Sequence, residues 1–514
     1  MIGNKIRTAL VLGSAVLATA AVAPVAAASA SGVVWERCPG ESPQGYACGH
    51  LEVPLSYQDT GGKKITIALA KLPATDPAHR LGTVFYNPGG PGVSGRFAPK
   101  ELMASLGGKF DLVGFDPRGV GASGALRCFT DPAQLGTLQA AIGFPITAAQ
   151  DRAQLAAAKT VTDLCAANGG ELMGHLSTAS VARDLDRLRA AFGEPKLKYY
   201  GKSYGSVLGE TYANLFGDRV GALVLDAVDD PVNWSTGYRP QDAAKPFSFR
   251  LDAFPDAQRA LESFLRSCAA APQCAFREPG TDLLVRYNGL LDRLQRGPVA
   301  TTDPETGQPL TVGYQDLVSR VHNGLLDTVK APALARFLQA VAIAPDTGGS
   351  APPTAARTTA TGATIPTPAD SLLGGAATLC SDSLNPRDPR VWAGFARLAD
   401  RSGRGFGAYD TYKSLPCATW PVRDPGRYTG PWNRQTAAPV LLVGNRQGDP
   451  ETPYPGAQRT ERALANARLL TLDTYGHGSV GRSACVDSAA QDYLERGTLP
   501  ARGTVCAPDR GPFG

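Results

Sequence analysis

Residues 197–216 read LKYYGKSYGSVLGETYANLF, and this stretch decides the fold. Its start, residues 197–200, is short and mainly apolar, which is typical of a strand buried on both faces. GKSYG follows at 201–205, and a helical pattern continues to Phe216. Small residues on both sides of a serine allow a sharp strand-to-helix turn that exposes the hydroxyl. The strand, turn and helix together favour Ser203 as a nucleophile over the simpler role of a helix cap.

Short apolar runs of the same kind occur elsewhere in the chain. They cover residues 83–86, 111–115, 222–225 and 440–443. Helical patterns, such as those at 181–192 and 207–216, separate several of them. This alternation predicts an α/β fold with a mostly parallel central sheet and helices on both faces. Before it, strand patterns at 49–57 and 63–72 predict an antiparallel hairpin that turns at Gly61 and Gly62.

The alternation stops after Ala227 and resumes near Ala438. Helical patterns fill the interval, at 254–269, 282–295, 314–325 and 333–342. We interpret the interval as a largely helical cap inserted between two core strands. The predicted organisation is a signal peptide at 1–30, the first part of the core at 31–230, the cap at 231–430 and the C-terminal part of the core at 431–514. Within the cap, residues 346–370 are rich in Thr, Ala, Gly and Pro, and we expect a mobile loop there.

The N-terminus has the three parts of a secretory signal. A basic start with Lys5 and Arg7 precedes an apolar run at 9–22 and a small-residue triplet that ends at Ala30. A membrane anchor is disfavoured because the apolar run is short and Pro24 interrupts its continuation. We therefore expect cleavage after Ala30 and a secreted, extracellular protein with no membrane anchor after signal removal.

Ten cysteines, an even number, in an exported chain indicate disulfides. Proximity along the chain suggests five local pairs, although sequence alone does not fix the pairing: Cys38 with Cys48, Cys128 with Cys165, Cys268 with Cys274, Cys380 with Cys417, and Cys485 with Cys506. No CxxC motif or His/Cys cluster of ligand spacing is apparent, so we expect no metal. The formal charge of +5 is small and dispersed, which argues against a nucleic-acid partner.

A serine nucleophile needs a base that an acid orients, so an acid and a histidine should follow later strands. Asp449 lies in a loop with Gly and Pro after the strand at 440–443, and His477 lies in YGHGS at 475–479. Glu451 and Asp473 are rival acids, and Asp449 is favoured by its position in the turn. The chain has five histidines, and the other four precede the serine or lie in the cap.

Hydrolysis of an acyl group also needs backbone N–H groups that stabilise the oxyanion. The motif NPGGPG at 87–92 follows a predicted strand, where one such donor is expected. We favour Gly90, with Gly89 as the alternative, and the other donor would come from Tyr204, the residue after the nucleophile. DPRGVG at 116–121 follows the next strand, and we expect a structural turn that pins a loop beside the site.

Together, NPGGPG at 87–92, DPRG at 116–119, GKSYG at 201–205 and DPETP at 449–453 resemble the secreted tripeptidyl aminopeptidases of actinobacteria, which are related to prolyl iminopeptidases. The likeness spans nearly the whole mature chain, and the region from Cys380 to Cys506 resembles that family's TAP-like C-terminal region. The resemblance implies an α/β-hydrolase fold with Ser203 as nucleophile, Asp449 as orienting acid and His477 as general base and acid.

The resemblance also implies a substrate class, namely peptides with a free N-terminus from which short peptides, chiefly tripeptides, are released. No cofactor is implied. Asn87 departs from the prolyl iminopeptidase branch, which usually has His at that position. The departure leaves the backbone donors intact and weakens an expectation of proline specificity. The family includes relatives described as esterases or cell-envelope proteases, so specificity is less constrained than mechanism.

An aminopeptidase must also supply an anion for the substrate ammonium, because an unpaired buried charge is costly. The candidates are Asp229, Asp230 and Asp382, and the sequence does not choose among them. The alternative is a carboxylesterase or lipase with the same triad. An open apolar cap without an amine-binding carboxylate would favour this alternative. A non-catalytic binding module on a hydrolase scaffold is a further alternative, and the presence of the triad together with an oxyanion loop argues against it.

Overall fold

The computed structural model describes residues 32–40, 42–106, 108–131, 134–141, 143–345 and 369–514. The predicted signal peptide lies outside the described residues, as does nearly all of the predicted loop at 346–370. The predicted domain boundaries stay predictions.

A ten-stranded sheet organises the described residues, in the order β1-β2-β3-β5-β4-β6-β7-β10-β11-β12. The first three strands pair antiparallel, as does β3 with β5, and all later neighbours pair parallel. The predicted mostly parallel central sheet is therefore confirmed. The strands are β1 Val33–Glu36, β2 Ala47–Ser56, β3 Asp59–Leu72, β4 Thr83–Asn87, β5 Asp111–Phe115, β6 Leu197–Lys202, β7 Val220–Asp226, β8 Val299–Thr302, β9 Pro309–Val312, β10 Val440–Asn445, β11 Ala467–Leu472 and β12 Val505–Cys506.

Helices cover the sheet and predominate in the described part of the long interval between β7 and β10. They are α1 Leu135–Ala141, α2 Ala148–Asn168, α3 Thr178–Ala191, α4 Tyr204–Leu215, α5 Pro231–Ser235, α6 Phe247–Leu251, α7 Phe254–Ala270, α8 Leu283–Arg296, α9 Tyr314–Leu325, α10 Ala331–Ile343, α11 Ala369–Asp382, α12 Trp392–Ala399, α13 Phe406–Tyr412, α14 Tyr454–Ala463 and α15 Ala484–Arg496.

The central strands are buried on both faces, which explains their continuous apolar sequences. Phe85 and Leu223 belong to the cluster on one face, whereas Val84 and Val224 belong to the cluster on the other. Because successive side chains of a strand point to opposite faces, apolar residues are required at consecutive positions.

The stretch from residue 227 to residue 439, called the insert below, connects β7 to β10, and these two strands are neighbours in the sheet. Its helices supply most of a separate large hydrophobic cluster. The prediction of a largely helical insert omitted the two-stranded sheet of β8 and β9. Each of these strands has only four residues with little burial, so their sequence gives a weak strand signal.

The N-terminal hairpin does not turn at the predicted glycines. Ser56 pairs with Asp59, so the turn falls at residues 57 and 58. Gly61 and Gly62 lie in β3, where the register shifts between Pro54 and Ser56 of the partner strand. The glycines thus accommodate an irregularity in the ladder, a common use of glycine within strands.

Five disulfides join the cysteine pairs suggested by sequence proximity: Cys38–Cys48, Cys128–Cys165, Cys268–Cys274, Cys380–Cys417 and Cys485–Cys506. They use all ten cysteines, each within the described ranges. Across those same ranges, no helix is both long enough and apolar enough to cross a bilayer.

Candidate active site

Ser203 lies at the turn between β6 and α4, in a strained backbone conformation. Its φ is 58° and its ψ is −129°, a region that side-chain-bearing residues rarely occupy. The flanking glycines are needed for packing: a Cβ on Gly201 would lie 2.2 Å from the carbonyl oxygen of Gly205, and one on Gly205 would lie 2.6 Å from that of Asn87. The surroundings therefore hold Ser203 in the sharp turn that its sequence predicts.

Asp449 and His477 form a direct contact at the ends of β10 and β11. His477 Nδ1 lies 3.0 Å from Oδ1 and 3.2 Å from Oδ2 of the Asp449 carboxylate. Because an ionised carboxylate only accepts hydrogen bonds, Nδ1 carries the hydrogen and Nε2 is left as the basic nitrogen. The arrangement orients the imidazole in the tautomer that a general base requires.

The Asp449 carboxylate is wholly buried and accepts several hydrogen bonds besides that of His477. Its Oδ1 accepts from the backbone N–H groups of Glu451 and Thr452, both at 3.0 Å. Its Oδ2 accepts from the Thr452 hydroxyl at 2.7 Å, and this hydroxyl lies 3.3 Å from His477 Nδ1. These donors fix the orientation of the carboxylate beside His477.

The serine and histidine loops are tied together by Asp226, the last residue of β7. Its carbonyl oxygen accepts from the N–H of Ser203 at 2.9 Å, and its carboxylate accepts from the N–H of Ser479 at 2.8 Å. The side chain of Lys202 also lies against Gly478, where a Cβ would come within 2.5 Å of Lys202 Cε. Since β6, β7, β10 and β11 are parallel neighbours, their carboxyl ends bring Ser203, Asp449 and His477 to one edge of the sheet.

The loop after β4 lies directly against Ser203. A Cβ on Gly89 would be 2.7 Å from Ser203 Cβ, and Gly89 and Gly90 have φ values of 102° and 118° that favour glycine. The N–H of Gly89 donates to Asn87 Oδ1 at 3.0 Å. The N–H of Gly90 has no acceptor among the described residues, and that of Tyr204, at the first position of α4, has no acceptor within its helix.

Asp116 pins this loop, as the sequence predicts for the turn at 116–121. Its Oδ1 accepts from the Ser94 hydroxyl at 2.5 Å and from the N–H groups of Gly95 and Arg96, and its Oδ2 accepts from the N–H of Ala122. Burial raises the pKa of Asp116, and these donors oppose the rise.

Two of the three candidate amine-binding carboxylates are engaged elsewhere. Asp230 caps α5 by accepting from the N–H groups of Val232 and Asn233, and it pairs with Arg459 at 2.6 Å. Asp382 accepts from Thr178 and from the Trp234 indole N–H. Their existing partners leave them poorly suited to bind a substrate ammonium.

Asp229 differs because, within the described part of the chain, no residue donates a hydrogen bond to its carboxylate. Its main chain is anchored, with the N–H donating to Ser206 Oγ and the carbonyl accepting from Thr460 Oγ1. The residue is only 4% exposed. Burial raises its pKa well above the usual range, and repulsion from Asp449 and Glu451 adds to the rise. This electrostatic setting would be relieved by a cation.

Near Asp449, sequence reasoning gave no role to Thr452 and considered Glu451 only as a rival acid. The hydroxyl of Thr452 bridges towards His477, and the carboxylate of Glu451 is bound by Lys413 Nζ of the insert, with both oxygens at 2.9 Å. Burial raises the pKa of Glu451, but Lys413 and, to a smaller extent, His322 outweigh this effect and lower the pKa to about 2. Thr452 and Glu451 both lie in the DPETP motif, yet the motif alone does not reveal that one faces the histidine and the other the insert.

A serine at a strand–helix elbow, a histidine–carboxylate pair and a glycine-rich loop, all at the carboxyl edge of a mostly parallel sheet, define an enzyme of the α/β-hydrolase class. The family described as "alpha/beta hydrolase fold" matches residues 82–270, and the family described as "TAP-like protein" matches residues 403–506. The chain is 32% identical to a tripeptidyl aminopeptidase of Streptomyces lividans, over 96% of this chain and 90% of that protein. It therefore belongs to the tripeptidyl aminopeptidase family.

Other relatives carry different names. A protein of Mycobacterium tuberculosis named carboxylesterase B is 30% identical over 90% of this chain and 86% of its own length. Serine protease Hip1 of the same organism is 28% identical over 92% of this chain and 91% of its own length. The likeness to these proteins thus extends over nearly the full chain, and their names include both peptidases and an esterase.

Proposed function

We propose that the protein is a secreted serine exopeptidase that releases short peptides, chiefly tripeptides, from free N-termini. The observation that carries the proposal is the buried Asp229 carboxylate, to which none of the described residues donates a hydrogen bond. Burial and repulsion from Asp449 and Glu451 raise its pKa. A hydrolytic site that also holds an unsatisfied anion suits a substrate with an ammonium group. The tripeptidyl aminopeptidase relatives support the same substrate class.

In the proposed reaction, Ser203 Oγ attacks the scissile carbonyl carbon while His477 Nε2 takes the hydroxyl proton. Asp449 stabilises the resulting imidazolium through Nδ1. The N–H groups of Gly90 and Tyr204 receive the oxyanion. His477 then donates its proton to the leaving amine, and a water that His477 activates hydrolyses the acyl-enzyme to release the N-terminal peptide.

Gly90 is preferred to Gly89 as the first oxyanion donor because the N–H of Gly89 is already bonded to Asn87 Oδ1. Asn87 thereby orients the loop through its own side chain. A site built in this way needs only backbone donors, which act on the oxyanion of either an ester or an amide.

Of the three amine candidates, Asp229 is retained. Burial and the neighbouring carboxylates raise the pKa of Asp229, which disfavours its ionised form, and a bound ammonium would favour that form. Asp230 acts instead as a helix cap, and Asp382 ties the insert to Thr178 of the core.

Secretion is part of the proposal, and it rests on the N-terminal signal pattern. Five disulfides support it, because such bonds form and persist in oxidising compartments outside the cytoplasm. Expression with the complete N-terminus, followed by N-terminal sequencing of the protein in the medium, tests cleavage after Ala30.

The decisive assay compares three substrates on the mature chain: a tripeptide chromogenic amide with a free amine, its N-acetylated form, and a short-chain nitrophenyl ester. The proposal predicts cleavage of the free-amine amide, little cleavage of the acetylated form, and loss of activity in Ser203→Ala. Turnover of the ester with neither amide cleaved would contradict the peptidase assignment.

A carboxylesterase is the second candidate, and the 30% identity to carboxylesterase B favours it. The ester arm of the same assay identifies it. The remote alternative, a non-catalytic binding module, predicts that a fluorophosphonate probe labels wild type and Ser203→Ala equally, whereas both enzyme hypotheses predict labelling of wild type alone.

A further inference from the structure

Helix α11 of the insert lies directly against the loop that carries Gly90. A Cβ on Gly375 would be 2.0 Å from the carbonyl oxygen of Pro91, the residue after Gly90. A Cβ on Gly92 would be 2.5 Å from the carbonyl oxygen of Ser371, so each side of this contact requires glycine. At such separations no side chain fits between the helix and the loop, and the backbone of α11 fixes how far the loop can move outwards.

The same end of α11 also holds the neighbouring turn at 116–121. Ser371 Oγ accepts from the N–H of Gly121 at 2.9 Å, and a Cβ on Gly374 would be 2.1 Å from the carbonyl oxygen of Gly119. Since Asp116 in this turn binds residues 94–96, α11 constrains the oxyanion loop both directly and through the turn.

The other end of α11 is linked to the side chain of Tyr204, the residue whose backbone N–H is the second proposed donor. Asp382 accepts from the Thr178 hydroxyl at 2.5 Å, and the Tyr204 hydroxyl lies 2.9 Å from the same Thr178 oxygen. Because the carboxylate can only accept, the Thr178 hydroxyl donates to Asp382 and accepts from Tyr204. The Tyr204 side chain is thus connected to α11 through a chain of two hydrogen bonds.

Apolar packing reinforces this second connection. Tyr204 stacks at 5.7 Å on Trp234, whose indole N–H donates to Asp382 at 3.1 Å. Leu379 of α11 packs against the hydrophobic cluster that contains both rings. The disulfide Cys380–Cys417 anchors this end of the helix to the rest of the insert.

We infer that α11 is a brace that fixes the spacing between the two oxyanion donors, with Gly375 near its middle and Leu379 one turn further on as positioning residues. The inference rests on the proposed serine chemistry but not on the length or the free amine of the substrate. It assigns the insert a role in stabilising the transition state, in addition to covering the site. Neither Gly375 nor Leu379 contacts the reacting atoms, so each acts through Gly90 or Tyr204.

The test uses Gly375→Ala in the full mature chain, with Gly394→Ala as the matched control. Gly394 lies in helix α12 of the same insert, where nothing lies within 4 Å of the added Cβ. Alanine has a higher helix propensity than glycine, so both substitutions have the same effect on helix propensity. They differ because only the Cβ added at position 375 clashes with a neighbouring atom. Leu379→Ala is the second variant, because it leaves a cavity instead of a clash and acts at the Tyr204 end.

The readouts are kcat and KM for the better wild-type substrate, and affinities for a peptide aldehyde and the matching peptide alcohol. The aldehyde adduct places an oxyanion in the hole, whereas the alcohol binds without one. Gly375→Ala should lower kcat about 10- to 100-fold with KM within about threefold, because removal of one donor costs about 10²- to 10³-fold. The affinity of Gly375→Ala for the aldehyde should fall by a similar factor, while its affinity for the alcohol stays unchanged. In Gly394→Ala, kcat and both affinities should stay within about twofold of the wild-type values.

Unchanged kcat in a folded Gly375→Ala would overturn the brace, as would an equal loss of affinity for the aldehyde and the alcohol. If Gly375→Ala does not fold, Leu379→Ala decides by the same criteria, with an expected loss of about fivefold or more in kcat and in aldehyde affinity. A wild type that hydrolyses the ester but no free-amine amide would contradict the proposed peptidase and leave the brace testable on the ester.

Discussion

Replacement of Asp449 by Asn should remove most of the activity and little of the fold. Its carboxylate meets His477 Nδ1 at 3.0 Å, which places the two charge centres of the ion pair about 4 Å apart. At an effective dielectric constant of about 20, unit charges at that separation attract by about 4 kcal/mol. Because each 1.36 kcal/mol corresponds to a factor of ten in rate, the expected loss of kcat/KM in Asp449→Asn is about 10³-fold.

The fold should survive this substitution because the amide keeps one acceptor oxygen. The N–H groups of Glu451 and Thr452 both reach Oδ1, and the Thr452 hydroxyl at Oδ2 can rotate to accept from the new amide. Thermal unfolding monitored by circular dichroism checks this expectation. The loss should then appear in catalysis and not in the folded fraction.

The assay measures kcat/KM on the free-amine tripeptide amide for Asp449→Asn and for two neighbouring carboxylates. Glu451→Gln and Asp473→Asn are the matched variants, since Glu451 binds Lys413 and Asp473 binds Arg446. Both variants should keep kcat/KM within about tenfold of wild type, because these carboxylates hydrogen-bond to Lys413 and Arg446 and not to His477. A folded Asp449→Asn that keeps a tenth of the activity, or an equal loss in Asp473→Asn, would refute the assignment of the acid.

Three further predictions concern the amine site, a buried carboxyl and a disulfide. Asp229→Asn should raise KM for the free-amine amide and leave ester hydrolysis nearly unchanged. In wild type that KM should rise as pH falls, because the raised pKa of Asp229 makes its carboxylate easier to protonate and so removes the charge that binds the ammonium. Equal effects on the ester and the amide would count against Asp229 as the amine-binding residue. Burial raises the pKa of Asp382 to about 7, so the stability that this carboxyl contributes is complete below about pH 4 and is lost as pH rises through about 7. In urea titrations we therefore expect the difference in unfolding free energy, wild type minus Asp382→Asn, to fall between pH 5 and pH 8. A difference that rises with pH would contradict a raised pKa for Asp382. Replacement of Cys380 and Cys417 by Ala opens a loop with a sequence separation of 37 residues and should cost about 4 kcal/mol in non-reducing denaturant titrations; an unchanged midpoint would show that other contacts hold α11.

The parts of the fold that the sequence predicts are those with strong periodicity. Helix α9 has the predicted bounds, residues 314–325, because its apolar positions recur on one face and Tyr314, Leu317, Val318, Val321 and Leu325 are buried. Helix α2 was not predicted, although it has 21 residues. Its buried face uses Gln154, Ala158 and Thr162 beside Val161 and Cys165, so small and polar residues hide the amphipathic pattern.

The sequence predicts those parts of the candidate site that depend only on the type of a residue and on its position directly after a strand. The elbow around Ser203 and the loops of Asp449 and His477 follow from parallel strands whose carboxyl ends share one edge. The choice among Asp229, Asp230 and Asp382 depended on tertiary partners such as Arg459 and Thr178, which sequence spacing does not reveal. The contact of α11 with the loop at 87–92 likewise joins segments hundreds of residues apart.

The measurement that tests the central claim most directly is mass-spectrometric mapping of the adduct formed by a tripeptidyl diphenyl phosphonate. This reagent combines a free N-terminus with a group that phosphonylates an activated serine. The account predicts a single adduct on Ser203, which forms faster with the free amine than with its N-acetylated form and is absent in Ser203→Ala. An adduct on another residue, or equal rates for the two reagents, would contradict it.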